Sequence, residues 1–256
     1  MGKLLALVAS LLLAAAPAGN SLPPQPVVVE LFTSEGCSSC PPADQLLTSL
    51  ANSKENSAII IPLGFHVDYW DDGGWKDRFS SHRYTARQEQ YSGRFRLNSV
   101  YTPQMVIDGR KQIVGNEDAA VRDAIRRAAG QPKPARVTIT AAPGDMLAIA
   151  VEMPPPSSNT VNPVPAEADV LLAITEDELT TAVKGGENTS RTLHHSAVVR
   201  ELRAVGSVTN GKFAGGVPLA LDREWQRDHL HAIVLVQQRD HGAILGAAQA
   251  SLAGAR

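Results

Sequence analysis

The sequence predicts an α/β domain followed by a mainly antiparallel β-sandwich, and three observations lead there. Between Val27 and Ala129 the apolar pattern alternates between strand and helix spacing, in the order β-α-β-α-β-β-α. A Gly130-Gln131-Pro132-Lys133-Pro134 run then breaks the pattern. Beyond it, short apolar runs recur at the spacing of an all-β unit. The expected division is a leader over 1–18, a first domain over 19–130 and a second over 131–256.

Each element has its own signal. Lys3, the apolar run Leu4–Ala16 and the small residues Ala16-Pro17-Ala18 form the three parts of a secretory signal peptide. The run is about 13 residues, short of the roughly 20 that span a bilayer. Cleavage near Ala18 and a periplasmic or secreted location are therefore expected, with no membrane attachment afterwards. Val27–Phe32 and Ala58–Val67 read as buried strands. Pro41–Leu50 reads as a helix, with prolines at its start and Leu46, Leu47 and Leu50 at helical spacing. A second helix is expected from about Trp75. Met105–Ile107, the Asp108-Gly109 turn and Lys111–Val114 give a hairpin, and Glu117–Ala129 a third helix. In the second half, 136–141, 146–152, 169–175, 196–202 and 231–237 read as strands, and Pro154–Asn159 as a loop.

Composition narrows the function. The chain has 256 residues, with 24 Lys and Arg against 26 Asp and Glu. No cationic excess is present to neutralise phosphates, which argues against a nucleic-acid partner. The two cysteines make one bond or one active site, not a disulfide scaffold.

Those cysteines form Cys37-Ser38-Ser39-Cys40, a C-x-x-C pair between an expected strand and an expected helix. Free N–H groups and the dipole at the helix start would favour a thiolate at the first sulfur. Thiolate is the attacking species in thiol–disulfide exchange, and the second cysteine would resolve the mixed disulfide. A static disulfide is the alternative. So is half of a metal site, although zinc wants four ligands and there is no second pair. No cofactor is called for.

The run from Val28 to Pro42, VVELFTSEGCSSCPP, resembles the active-site segment of the thioredoxin superfamily. Tyr101-Thr102-Pro103-Gln104-Met105 resembles its segment with a cis proline. The resemblance implies an α/β thioredoxin-like first domain, a cis Pro103 facing the cysteines, and substrate pairing at Thr102. It also makes Glu30 a counterpart of the family's buried acid, a proton acceptor for Cys40. Glu35-Gly36 stands where that family usually carries Trp. A closer resemblance is to secreted bacterial proteins grouped as domain of unknown function 1223, on the pieces FTSEGCSSCPPAD, FHVDYWDDGGWKDRFS, YTPQMVIDG, RTLHHSAVVREL and LVQQRDHGAILGAA. The second half resembles the β-sandwich of the outer-membrane Omp28 group.

Polar residues elsewhere are candidates to complete the site. His66 and Asp68 alternate onto one face at the end of a buried strand, where His66 could move protons. Trp70 could wall the cleft. Arg191, His194 and His195 open a strand of the second half. Adjacent histidines on a strand point to opposite faces, so only one can join a given site. Arg191 could pair with a carboxylate. The leading expectation is a thiol–disulfide oxidoreductase acting on protein thiols or disulfides. The competing ones are a copper-type metal-handling protein using the cysteines plus His66, His194 or His195, and a binding module with a structural disulfide.

Overall fold

The structure, a computed structural model, describes residues 25–53, 58–155, 164–165 and 167–254. The leader expected over 1–18 and residues 156–159 of the proline-containing loop lie outside the described residues. Among the described residues, no helix is long and apolar enough to cross a membrane.

In chain order the elements of the first half are β1 (Gln25–Thr33), α1 (Pro41–Ala51), β2 (Ala58–His66), α2 (His82–Phe95), β3 (Gln104–Ile107), β4 (Lys111–Val114) and α3 (Asp118–Ala129). Prolines occupy the first positions of α1, whose buried face is Ala43, Asp44, Leu46, Leu47 and Leu50. Helix α2 starts at His82, not near Trp75. The Ser81 hydroxyl accepts from the Arg83 N–H and caps it, while Trp75 and Asp77 ahead of it are engaged elsewhere. Asp108 and Gly109 both take positive φ, at 49° and 63°, in the tight turn between β3 and β4. The charges of α3 suit the helix dipole, with Asp118 in its first turn and Arg126 and Arg127 in its last.

The second half supplies β5 (Arg136–Ala142), β6 (Met146–Glu152), β7 (Ala168–Glu176), β8 (Leu179–Ala182), β9 (Thr192–His195), β10 (Val198–Val208), β11 (Lys212–Pro218), β12 (Leu230–Gln238) and β13 (Ile244–Ser251). The expected α/β thioredoxin-like domain followed by a separate sandwich is overturned here. The protein is mostly strand, 43 % against 18 % helix. One mixed sheet runs through both halves in the order β13-β12-β7-β10-β2-β1-β3-β4. Strand β1 pairs parallel with β2 and antiparallel with β3. The two halves meet where Val198 of β10 pairs with Gly64 of β2 and the Gly64 N–H donates to the Ala197 carbonyl at 2.7 Å.

Pro62 helps explain why that junction is so short. By the two-residue strand period its nitrogen points to the same side as that of Gly64, toward β10, and proline has no N–H to donate there. Side-chain packing nevertheless makes the junction continuous. A single apolar cluster joins Val28, Phe32 and Phe65 to Ala173, Val199 and Leu235, with Tyr84 and Tyr91 of α2 upon it. On the opposite face, α1 and α3 cover Val27, Val29 and Leu31. A small sheet, β11-β6-β5, covers Val170, Leu172, Val234 and Val236 through Leu147, Ile149 and Val151.

Candidate functional site

The loop 34–40 carries the chain from β1 into α1 and holds the two cysteines. Two turns close it, with the Cys37 N–H donating to the Ser34 carbonyl and the Cys40 N–H to the Cys37 carbonyl, both at 3.2 Å. Cys37 and Cys40 are joined in a disulfide, with Cα atoms 5.4 Å apart. Both are 0 % exposed, although Ser38 and Ser39 between them are exposed. The free N–H groups expected at the first sulfur are not available from the first turn. Pro41 and Pro42 have no N–H, and the N–H groups of Ala43 and Asp44 both donate to the Cys40 carbonyl, at 2.8 and 3.1 Å. The helix dipole remains.

Behind the disulfide loop lies a buried set of three carboxylates and two imidazoles. His66 ends β2, and its Nδ1 is 2.6 Å from Asp77 Oδ2. Asp77 also accepts from the backbone N–H of Glu35 at 2.8 Å and of Phe79 at 2.9 Å. Glu35 Oε2 accepts from the Trp75 indole at 2.8 Å, and Oε1 is 3.3 Å from His195 Nε2. That last contact has ion-pair distance without hydrogen-bond geometry. The rings of His66 and His195 meet edge to face at 5.0 Å. Asp44 of α1 is buried, and together with Thr33, His66, His195 and Ser196 it lines a narrow internal space.

Burial acts against charge at His66, Asp77, Glu35 and Asp44, and the partners decide the outcome at each. For His66, burial disfavours the cation, but the Asp77 carboxylate outweighs it and raises the pKa. For Asp77, burial is overcome by His66 and the two backbone donors, and its pKa is lowered. Glu35 is also lowered, with the His195 ring, Thr181 and the Trp75 indole overcoming burial and the charge of Asp77. Asp44 goes the other way: burial raises its pKa, and the two histidines offset this only in part.

These directions fix a pH dependence. The contribution of His66 is full below its ordinary value of 6.5 and is lost as pH rises toward its higher folded value. Those of Asp77 and Glu35 are present above their ordinary 3.8 and 4.5 and are lost as pH falls toward their lower folded values. Asp44 adds a cost that grows as pH rises above 3.8. Thermal stability is therefore expected to be greatest between about pH 4.5 and 6.5 and to fall on both sides. Asp77→Asn should cost about 1–3 kcal/mol and flatten the decline above pH 6.5. Thermal unfolding across pH 4–9 checks both.

The remaining expected residues fall into two groups. Trp70 and Thr102 are brought together, the indole donating to the Thr102 hydroxyl at 2.8 Å. The Thr102–Pro103 peptide bond is cis. A side chain at Gly115 would meet Pro103 Cβ at 3.0 Å and Ala43 Cβ at 3.2 Å, which places Pro103 beside α1. Glu30 is not with them. It lies on the α2 face of β1, where Oε2 accepts from Arg87 Nε and Oε1 from the Tyr91 hydroxyl, each at 2.6 Å. An ion pair so committed leaves it no role as proton acceptor for Cys40. Asp68 also leaves the site, because the strand ends at His66. Its carboxylate accepts from the Thr85 hydroxyl at 2.5 Å and sits 3.4 Å from His82, at the start of α2.

In the second half, His195 is buried and His194 is exposed, its Nδ1 3.1 Å from the Thr180 hydroxyl. Arg191 meets no carboxylate in the site. It donates to Asn188 Oδ1 at 3.0 Å. Asn188, which the sequence marks only as the first residue of a formal Asn-Thr-Ser glycosylation sequon, is the direct hold on the cysteine loop. Its amide donates to the carbonyls of Glu35 at 2.8 Å and Cys37 at 2.9 Å, and the residue is 0 % exposed. Glu187 accepts from the Ser38 N–H at 3.1 Å. Among the described residues no group of three or more His, Cys, Asp or Glu is arranged to hold a metal ion. A groove of about 670 Å³ lies between β4 and α3 over Ile107, Ile113 and Ala124, and shares no residue with this site.

Fold and site together define a mixed-sheet protein with a shielded C-x-x-C disulfide backed by buried carboxylates and imidazoles. The chain matches the family described as "Protein of unknown function (DUF1223)" over residues 28–237, and it belongs to that family. It is similar to the crystal structure of protein AGR_C_4864 from Agrobacterium tumefaciens, at 26 % identity and a TM-score of 0.69, over 90 % of this chain and 96 % of that one. It also resembles HBP35 of Porphyromonas gingivalis, at 15 % identity and a TM-score of 0.66, over 91 % of this chain and 77 % of that one. The second likeness is one of fold alone. No curated protein matches the sequence.

Proposed function

We propose that this protein exchanges disulfides with protein thiols outside the cytoplasm, through the Cys37–Cys40 pair. The observation that carries the reading is a closed C-x-x-C disulfide at a helix start with buried groups of opposed proton affinity behind it. In the forward step a partner thiolate attacks Cys37 Sγ. The new S–S bond forms as the Cys37–Cys40 bond breaks, and Cys40 leaves with the electron pair and takes up a proton. A second partner thiolate then attacks the partner's own sulfur in the mixed disulfide and releases Cys37. The partner dithiol is oxidised, the pair is reduced, and the same steps run in reverse. Asp44 lies one turn along α1 from Cys40, and burial raises its pKa, which suits it to exchange a proton with the Cys40 sulfur.

A static structural bond is the second reading, and the complete burial of both cysteines favours it. The reduction potential separates the two. The chain without residues 1–18, equilibrated in glutathione buffers, is expected to show a reversible couple between about −270 and −120 mV. Cys37→Ser should abolish both the couple and exchange with a reduced protein substrate. A potential below about −300 mV would make the bond structural and overturn the proposal.

A further inference from the structure

The exchange reading leaves one difficulty, which is that neither cysteine is accessible. The second half of the chain sends one segment onto the backbone of the cysteine loop. Segment 184–191 joins β8 to β9 and is closed on itself. Val183 and Arg191 are bonded at its neck through the Val183 N–H and the Arg191 carbonyl, 2.9 Å apart. The Ser190 N–H returns to the Val183 carbonyl, also at 2.9 Å, and the Thr189 hydroxyl donates to the Gly186 carbonyl at 2.6 Å. These bonds tie the segment to itself rather than to the cysteine loop.

Its attachments to the cysteine loop are few and polar. They are the two donations from Asn188 to the Glu35 and Cys37 carbonyls and the acceptance by Glu187 from Ser38. A backbone contact completes the seat, where Gly185 lies against the Gly74 carbonyl. Arg191 holds Asn188 by its side-chain oxygen, so the amide is fixed with its two hydrogens aimed at the cysteine loop.

We infer that segment 184–191 is a gate over the Cys37–Cys40 disulfide and that Asn188 is the positioning residue that holds it shut. The gate rests on the exchange reading for its purpose: a protein partner that displaces the segment reaches Cys37 directly, whereas a small thiol reaches it only when the segment opens by itself. A gate changes the rate at which the bond is reached from either side. It leaves the equilibrium between disulfide and dithiol where it was, because opening precedes chemistry in both directions.

The test uses the chain without residues 1–18 and dithiothreitol as the probe. Asn188→Ala is expected to speed both reduction and reoxidation by about tenfold or more, from the loss of two buried hydrogen bonds. The equilibrium constant against dithiothreitol should stay within about twofold of the wild type. Glu187→Ala removes an exposed side chain and should fold whatever Asn188→Ala does. It is expected to speed both directions by about two- to threefold. Wild-type rates in both variants would overturn the gate, as would a wild-type bond reduced as fast as that of the urea-unfolded chain. A shifted equilibrium with unchanged reoxidation would also overturn it, since that marks a structural contact only. Faster reduction in the variants with a potential below about −300 mV would keep the gate and overturn the exchange reading.

Discussion

Replacing Arg87 by methionine should destabilise the protein by about 3–5 kcal/mol, which for a chain of this size lowers the thermal midpoint by roughly 6–20 °C. Arg87 is 3 % exposed and Glu30 is 0 % exposed, so the substitution strands a carboxylate in the core. The Arg87 head also donates to Gln237 Oε1 at 3.1 Å and to the Tyr91 hydroxyl at 3.2 Å. It lies 5.2 Å from the centre of the Tyr91 ring, so packing is lost with the charge. Adding Glu30→Gln should recover at least half of the loss. The neutral side chain keeps an acceptor for the Tyr91 hydroxyl, and no charge is left buried. Thermal or urea unfolding of the single and double variants decides this. Equal stability of Arg87→Met and the wild type would show that the pair contributes nothing to the fold.

Gly185→Ala is the second substitution with a large expected effect. A Cβ at Gly185 would lie 2.3 Å from the Gly74 carbonyl oxygen, inside any real contact distance, and both partners are backbone. The segment must therefore lift away from residues 73–75. A destabilisation of about 1–3 kcal/mol is expected, together with faster dithiothreitol reduction of Cys37–Cys40, because the same segment carries Asn188. Gly93→Ala is the matched control. Nothing lies within 4 Å of its added methyl, and the position is helical. It should stabilise by about 0.5–1 kcal/mol and leave the reduction rate alone. Reduction at the wild-type rate in Gly185→Ala would separate the Gly185 contact from access to the disulfide.

Much of the local structure is legible from apolar spacing. Leu46, Leu47 and Leu50 mark α1, and the Asp108-Gly109 pair marks the β3–β4 turn. The sheet order is not legible in the same way. The run Ala58–Val67 says strand, but its apolar residues fit any apolar neighbour and say nothing about which strand arrives beside Gly64. That is why the apolar spacing suggests an α/β fold followed by a sandwich, whereas one mixed sheet of eight strands draws on both halves. Of the site, the cysteines, His66, His195, Trp70 and Thr102 are marked by residue type and position. Asp77 and Asn188 are not, because each acts through backbone groups of the cysteine loop, and a backbone donor or acceptor has no signature in sequence. Glu30 misled for a related reason. A carboxylate on a buried strand signals a partner, but the partner is Arg87 on a later helix rather than Cys40.

The narrow β2–β10 junction has a consequence for how the chain is made. Strand β2 leaves the ribosome with β1 as its partner on one side, while its neighbour on the other follows only after the length of a small domain has been added. Throughout that interval the nascent first half carries an open sheet edge, a hazard for pairing with other chains. The cysteine loop is in the same position, since Asn188, Glu187 and His195 all emerge late. The cysteine pair is thus uncovered early in the life of each molecule and is enclosed only when the second half has been made. Access to the pair is therefore set twice, first by the order in which the chain is made and afterwards by the segment that closes over it.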